Sequence, residues 1–238
     1  MTLVIAVKGV DLDKKAVIIV GSDSHTVVID RAGNRVDTNN TQKIYRINNY
    51  LCVLSYGNHE VSNTLLEYLQ SKKRLSNTIG DTSRNFGSFC KSQYELFYTR
   101  FNPLPQVGFI LAGFDKVKSK YSPKIYHLCS ENNFFPECCD NYAIKGKPNI
   151  AEYLFNKIYT ASSLPLSEEL LYEFVCGIIS ETISVDGDVG GDIKLARINQ
   201  KRGFDEVYPI DGYLNSWKIK YEKAYENIIS QSSSLVPI

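Results

Sequence analysis

The sequence predicts an α+β protein in which two antiparallel sheets pack against each other and helices cover their outer faces. Three observations carry this reading. The apolar, β-branched segments come in hairpin-like pairs, so the order is strands, two helices, strands, two helices, strands, and not the βαβ alternation of a parallel doubly wound sheet. Some of these segments, AVIIVGS at 16–22 above all, are apolar at successive positions, as strands buried on both faces must be. The 238 residues are 43% hydrophobic, enough for one well-buried domain over residues 1–238 with a polar tail from about 230.

The first strand pair is TLVIAVKG at 2–9 and AVIIVGS at 16–22, joined by the charged turn VDLDKK. A second pair, KIYRI at 43–47 and YLCVLSY at 50–56, meets across Asn48 and Asn49, which favour turns, so four strands are spent before residue 57. Val61, Leu65, Leu66 and Leu69 recur at helical spacing over 59–69, and a looser aromatic pattern predicts a second helix over 81–101. VGFILAGFD at 107–115 and KIYHLCS at 124–130 return to strand character. Pro148 suits the first turn of a helix ending near Thr160, and SEELLYEFVCGIISETI after Pro165 carries acidic residues where they favour a helix dipole. Late strands are expected at 192–198 and around 207–210, and a C-terminal helix over 214–229.

The formal net charge of +1, with no block of basic residues, gives no footprint for a nucleic acid or an anionic membrane. No segment approaches the roughly 20 apolar residues of a spanning helix, and the N-terminus has no basic region ahead of an apolar run, so a cytoplasmic protein is expected. Six cysteines (Cys52, Cys90, Cys129, Cys138, Cys139 and Cys176) lack metal-type pairing and read as packed, reduced thiols; no metal or organic cofactor is implied.

The chemistry begins at Thr2. A small residue after the initiator methionine permits its removal, which leaves an α-amine beside the threonine hydroxyl. An α-amine with an ordinary pKa of roughly 7.7–8.0 can serve as that hydroxyl's base, directly or through a water. Met-Thr alone is commonplace. Its company is not: Asp23 in GSDSH ends the second strand, and Lys43 heads the third.

Thr2 opening a strand, then SDS, then KIYRIN, then a strand ending in Ser55-Tyr56-Gly57, resembles the proteasome beta-subunit family of N-terminal-nucleophile (Ntn) hydrolases, bacterial proteasome-related peptidases included. FILAGFD at 109–115 resembles the family's central strand and VDGDVGGDI at 185–193 its late glycine pair, so the resemblance covers roughly residues 2–200. It implies a four-layer αββα sandwich and a threonine endopeptidase. Thr2 would supply hydroxyl and amine, Lys43 would lower the amine's proton affinity, and Asp23 would orient Lys43. Gly57 would offer its N–H to the oxyanion, and Asp186 would steady the region of the Thr2 amine. Thr26, Val27, Thr41, Tyr45, Ser55, His59 and Asn63 would line the pocket beside the nucleophile, a polar set.

The sequence departs from the family in two places. The serine of a glycine-serine-glycine turn is missing around Lys145-Gly146-Lys147, and the serine ahead of Gly190-Gly191 is replaced by Asp188 or Val189. Asp188 is expected to substitute in part. Family members of the alpha type, which are non-catalytic ring subunits, carry an extension before the first strand; here the strand starts at Thr2, which favours the beta type over an inactive scaffold subunit. An Ntn amidase acting on a small amide is the other alternative, and the Asp23 and Lys43 positions argue against it. The resemblance further implies a peptide or unfolded-protein substrate and a homo-oligomeric ring or open helical array, and it leaves room for an ATP-driven unfoldase partner.

Overall fold

Two five-stranded antiparallel sheets form the frame of this computed structural model, which describes residues 2–29, 35–72, 78–117, 120–159 and 165–220. The strands are β1 (Leu3–Val10), β2 (Ala16–Ser22), β3 (Thr26–Ile29), β4 (Arg35–Thr38), β5 (Ile44–Asn48), β6 (Leu51–Gly57), β7 (Val107–Val117), β8 (Lys120–Cys129), β9 (Glu137–Cys139), β10 (Tyr142–Gly146), β11 (Lys194–Asn199) and β12 (Gly203–Glu206). The helices are α1 (His59–Ser71), α2 (Ile79–Tyr94), α3 (Pro148–Tyr159) and α4 (Glu168–Val185), with a further helix over 211–220. One sheet has the order β10-β1-β2-β11-β12, the other β5-β6-β7-β8-β9, and β3 and β4 form a separate hairpin.

The period-2 alternation of each strand explains the layers. In β1, Leu3, Ile5 and Val7 pack with Phe155 of α3 and Phe174 of α4, while Val4 and Ala6 point the other way, into the space shared with Leu54 and Ile110 of the second sheet. On the far side of that sheet, Val53, Phe109 and Leu111 pack against Leu65 of α1 and Phe86 of α2. Three apolar cores therefore separate four layers in the order helix, sheet, sheet, helix. Central strands are sandwiched twice, which is why AVIIVGS carries no polar face.

Local signals set the helix ends. The Asn58 side chain accepts a hydrogen bond from the Val61 N–H at 3.0 Å at the start of α1, and Thr78 does the same for Asp81 at 3.0 Å at the start of α2. Asp11 holds the β1–β2 turn by accepting from the N–H groups of Asp13 and Lys15 at 2.9 and 2.8 Å.

Several expectations need correction. Six strands precede residue 58, not four, because TVVI at 26–29 pairs with Arg35–Thr38 as β3 and β4; its β-branched run was the available signal. The second helix ends at Tyr94 and tightens into a 3₁₀ turn over Glu95–Thr99, ahead of Pro103 and Pro105. Strands β9 and β10 are too short to show a period in sequence, yet β10 pairs with β1 and is central to the site below. The last strand lies at Gly203–Glu206 and not at 207–210, because it must pair with β11 across a short turn, Ala196 opposite Glu206 and Asn199 opposite Gly203. The final helix is present over 211–220, and the remainder of its expected span lies outside the described residues, as do Thr160 and the polar tail. All six cysteines are free thiols.

Between the sheets, His127 is buried, its Nε2 2.8 Å from the Tyr56 hydroxyl and its Nδ1 3.6 Å from Glu137. Burial, reinforced by Lys145, lowers its pKa, with Glu137 opposing. Below about pH 6.5 the unfolded chain takes up a proton that the folded imidazole resists. The stability advantage is therefore full above that pH and shrinks as pH falls through it toward the lower folded pKa. Denaturant titrations between pH 7.5 and 5 are expected to show this slope, and His127→Gln to flatten it.

Candidate active site

Asp23 follows the last residue of β2, and its N–H donates to the Leu3 carbonyl at 3.2 Å, which pins it opposite the start of β1. The carboxylate is fully buried. Its Oδ1 accepts from the Leu3 N–H and from the Lys43 ammonium, both at 2.8 Å; its Oδ2 accepts from the N–H groups of His25 at 3.3 Å and Gly190 at 3.2 Å. Three backbone N–H groups and one ammonium thus satisfy both oxygens of the buried carboxylate.

Lys43 is 3% exposed, just ahead of β5, and its ammonium also donates to the His25 carbonyl at 2.5 Å. Burial pushes the Lys43 pKa below the usual lysine range, while Asp23 pulls it back up. The result is a cation fixed in place by two acceptors in a site from which water is largely excluded.

Thr2 is 5% exposed and stands immediately before β1. Its carbonyl accepts from the Lys147 N–H at 2.8 Å, beyond the register pair Leu3 and Gly146 at the end of β10. Gly146 has φ +96°, and a Cβ there would lie 1.9 Å from the Thr2 carbonyl oxygen, so only glycine lets β10 approach so closely. The backbone of Thr2 and Leu3 is thus clamped from one side by Asp23 and from the other by the turn after β10.

Gly57 ends β6 with φ +90°, where an added Cβ would meet the Gln106 carbonyl oxygen at 2.2 Å. It is followed directly by Asn58, the cap of α1, so its exposed backbone lies at the positive end of a helix. Asp186 caps the C-terminus of α4: its N–H donates to the Thr182 carbonyl at 2.9 Å and its Oδ1 accepts from the Asp188 N–H at 2.9 Å.

Thr41, Tyr45, His59 and Asn63 line one open groove of about 810 Å³. Tyr45, Asn63 and His59 form a polar chain: the Tyr45 hydroxyl donates to the Gln42 carbonyl at 2.8 Å and lies 2.9 Å from Asn63 Oδ1, and Asn63 Nδ2 lies 2.9 Å from His59 Nε2. Burial and then the positive charge of Lys43 lower the pKa of His59, which ties the groove electrostatically to the Asp23–Lys43 pair. Thr26 and Val27 do not line this groove; they lie on β3, where the Thr38 hydroxyl reaches the Thr26 carbonyl at 3.4 Å and the Thr41 hydroxyl at 3.2 Å. Ser55 is buried in β6, its N–H donating to the Lys43 carbonyl at 3.0 Å.

Four contributors escaped the sequence reading. Gly190 and His25 bond Asp23 and Lys43 through their backbones, which no side-chain pattern advertises. Lys147 holds Thr2 through its N–H. Glu67, on the same helical face as Asn63, places a carboxyl on the groove wall and was within reach of an i, i+4 argument.

The layers and their connectivity define an α+β sandwich of the Ntn-hydrolase type. The family described as "Proteasome subunit" matches residues 11–198, and the chain belongs to that family. In the solved structure of an Anbu (Gly-1) mutant from Hyphomicrobium sp. strain MC1, the same fold spans 100% of this chain and 99% of that one, with a TM-score of 0.69 at 14% sequence identity. Comparison with curated proteins gave no match.

Proposed function

We propose that this chain is a threonine-type endopeptidase whose nucleophile is the Thr2 hydroxyl after removal of Met1. The observation that carries the reading is the buried Lys43 ammonium, held by an Asp23 carboxylate that also binds the Leu3 N–H, one residue from Thr2. A fixed cation near an α-amine disfavours its protonation, so a Thr2 amine would stay free near neutral pH and take the hydroxyl proton as the hydroxyl attacks a peptide carbonyl. The developing oxyanion would be met by the Gly57 N–H at the positive end of α1. The amine then returns its proton to the leaving nitrogen, and water releases the acyl group from Thr2.

The polar groove supports a substrate side chain that hydrogen-bonds to the chain of Tyr45, Asn63 and His59, with Glu67 favouring a basic group. Membership in the proteasome subunit family supports assembly into a closed ring or open helical array of copies, with unfolded chains as substrate and room for an unfoldase partner. No described helix is long and apolar enough to cross a membrane, which accords with a cytoplasmic setting.

The test is intact mass before and after exposure to a peptide epoxyketone, which needs hydroxyl and free amine together. A mass lacking methionine and gaining one adduct, abolished by Thr2→Ala, is expected. A chain that keeps Met1 in its native host and gains no adduct would overturn the proposal in favour of a scaffold subunit.

A further inference from the structure

Beyond the Asp23–Lys43 pair, a second charged group closes on the Thr2 end of β1. Lys147 follows β10, and its Nζ lies 3.2 Å from Asp188 Oδ2 and 3.8 Å from Asp186 Oδ2. Both carboxylates belong to the turn after α4, which is bonded within itself: Asp186 Oδ1 accepts from the Asp188 N–H at 2.9 Å and the Asp186 carbonyl from the Val189 N–H at 3.0 Å. The same turn continues to Gly190, whose N–H reaches Asp23 Oδ2 at 3.2 Å and whose carbonyl accepts from the N–H groups of Ser24 and His25 at 3.1 and 2.9 Å.

These contacts close a circuit. It runs from the Thr2 carbonyl to the Lys147 N–H, through the Lys147 side chain to Asp188 and Asp186, along the turn to Gly190, through Asp23 to the Leu3 N–H, and back to Thr2. We infer that Lys147 is a positioning residue of the Thr2 site, which holds the 186–190 turn beside the nucleophile and offsets the negative charge that the turn brings there. This rests on the proposed role of Thr2.

The charged and titratable groups around the Thr2 end of β1 are Asp23 paired with Lys43, His25 with its Nε2 3.0 Å from Asp37 on the hairpin side, His59 on the groove side, and the group of Lys147, Asp186 and Asp188. Removing the Lys147 ammonium makes the charge carried by this turn and its neighbour more negative by one, and nearby negative charge stabilises a protonated amine. The amine would then hold its proton to higher pH and serve less well as a base.

The test uses chain released from a cleavable leader so that it begins at Thr2. Acetic anhydride labelling of the α-amine across pH, read by mass spectrometry, gives the amine's titration midpoint without turnover. In Lys147→Met the midpoint is expected to rise by about one pH unit, roughly a tenfold loss of free amine at neutral pH. Lys147→Arg should leave it in place, and Asp188→Asn, which removes a carboxylate and keeps the ammonium, should lower it. An unmoved midpoint in Lys147→Met, or, if that variant does not fold, in Asp188→Asn, would overturn the inference. A chain with the expected midpoints that never reacts with an epoxyketone keeps the role of Lys147 and sinks the peptidase reading; a reactive chain whose midpoint ignores Lys147 does the reverse.

Discussion

Asp23→Ala is expected to cost about 3–5 kcal/mol of folding stability and to abolish epoxyketone labelling of Thr2, because it strands a buried ammonium without its counter-charge. The same change leaves the N–H groups of Leu3, His25 and Gly190 without the acceptor that gathers them. Lys43→Met separates the two effects. It removes the cation while Asp23 keeps its three N–H donors, so the loss of stability should be smaller and the loss of labelling just as complete. Urea titrations on both variants, run beside the labelling assay, check this. Equal stability in wild type and Asp23→Ala would mean that the pair is hydrated in solution, and that the description of the site as a desolvated ion pair is wrong.

Gly146→Ala is the second large effect. The added Cβ would lie 1.9 Å from the Thr2 carbonyl oxygen and 2.8 Å from its carbonyl carbon, and the residue sits at φ +96°, where an L side chain is strained. The neighbour is backbone, so relief requires the end of β1 or of β10 to move. A destabilisation of about 2–3 kcal/mol is expected from the strain alone. Displacement of Thr2 by even about 1 Å should slow adduct formation about a hundredfold, since the reacting geometry tolerates little misplacement. The outcome to look for is a variant that remains folded at low temperature yet labels slowly. Labelling at the wild-type rate would show that the approach of β10 to Thr2 does not govern the nucleophile.

The parts of this protein that were legible in sequence are those with a long apolar run, a helical period or a marked helix end. The β1–β2 and β5–β6 hairpins and the strands β7 and β8 announce themselves as apolar, β-branched runs between turn residues, α1 through helical spacing, and α3 and α4 through Pro148 and an acidic first turn. The elements that went unread are short: β3 and β4 have four residues each, β9 three and β10 five, and β9 and β10 are strands because β8 and β1 offer them an edge to pair with. The site divides the same way. Asp23 and Lys43 were visible as charged residues at strand ends, and the structure joins them directly. Gly190, His25 and the N–H of Lys147 act through backbone groups that every residue carries, so only their positions in space distinguish them.

The four donors on Asp23 also bear on when a nucleophile could first become competent during synthesis. Leu3, His25 and Lys43 all emerge from the ribosome early, but Gly190 follows Asp23 by 167 residues, and it ends the same turn that Lys147 grips at Asp186 and Asp188. Strand β2 likewise waits for β11, at Lys194–Asn199, before it gains its second neighbour. A chain synthesised only as far as α4 therefore has Asp23 and Lys43 but not the Gly190 N–H that completes the carboxylate's donors. The shell of that one carboxylate is therefore completed late, by residues far along the chain.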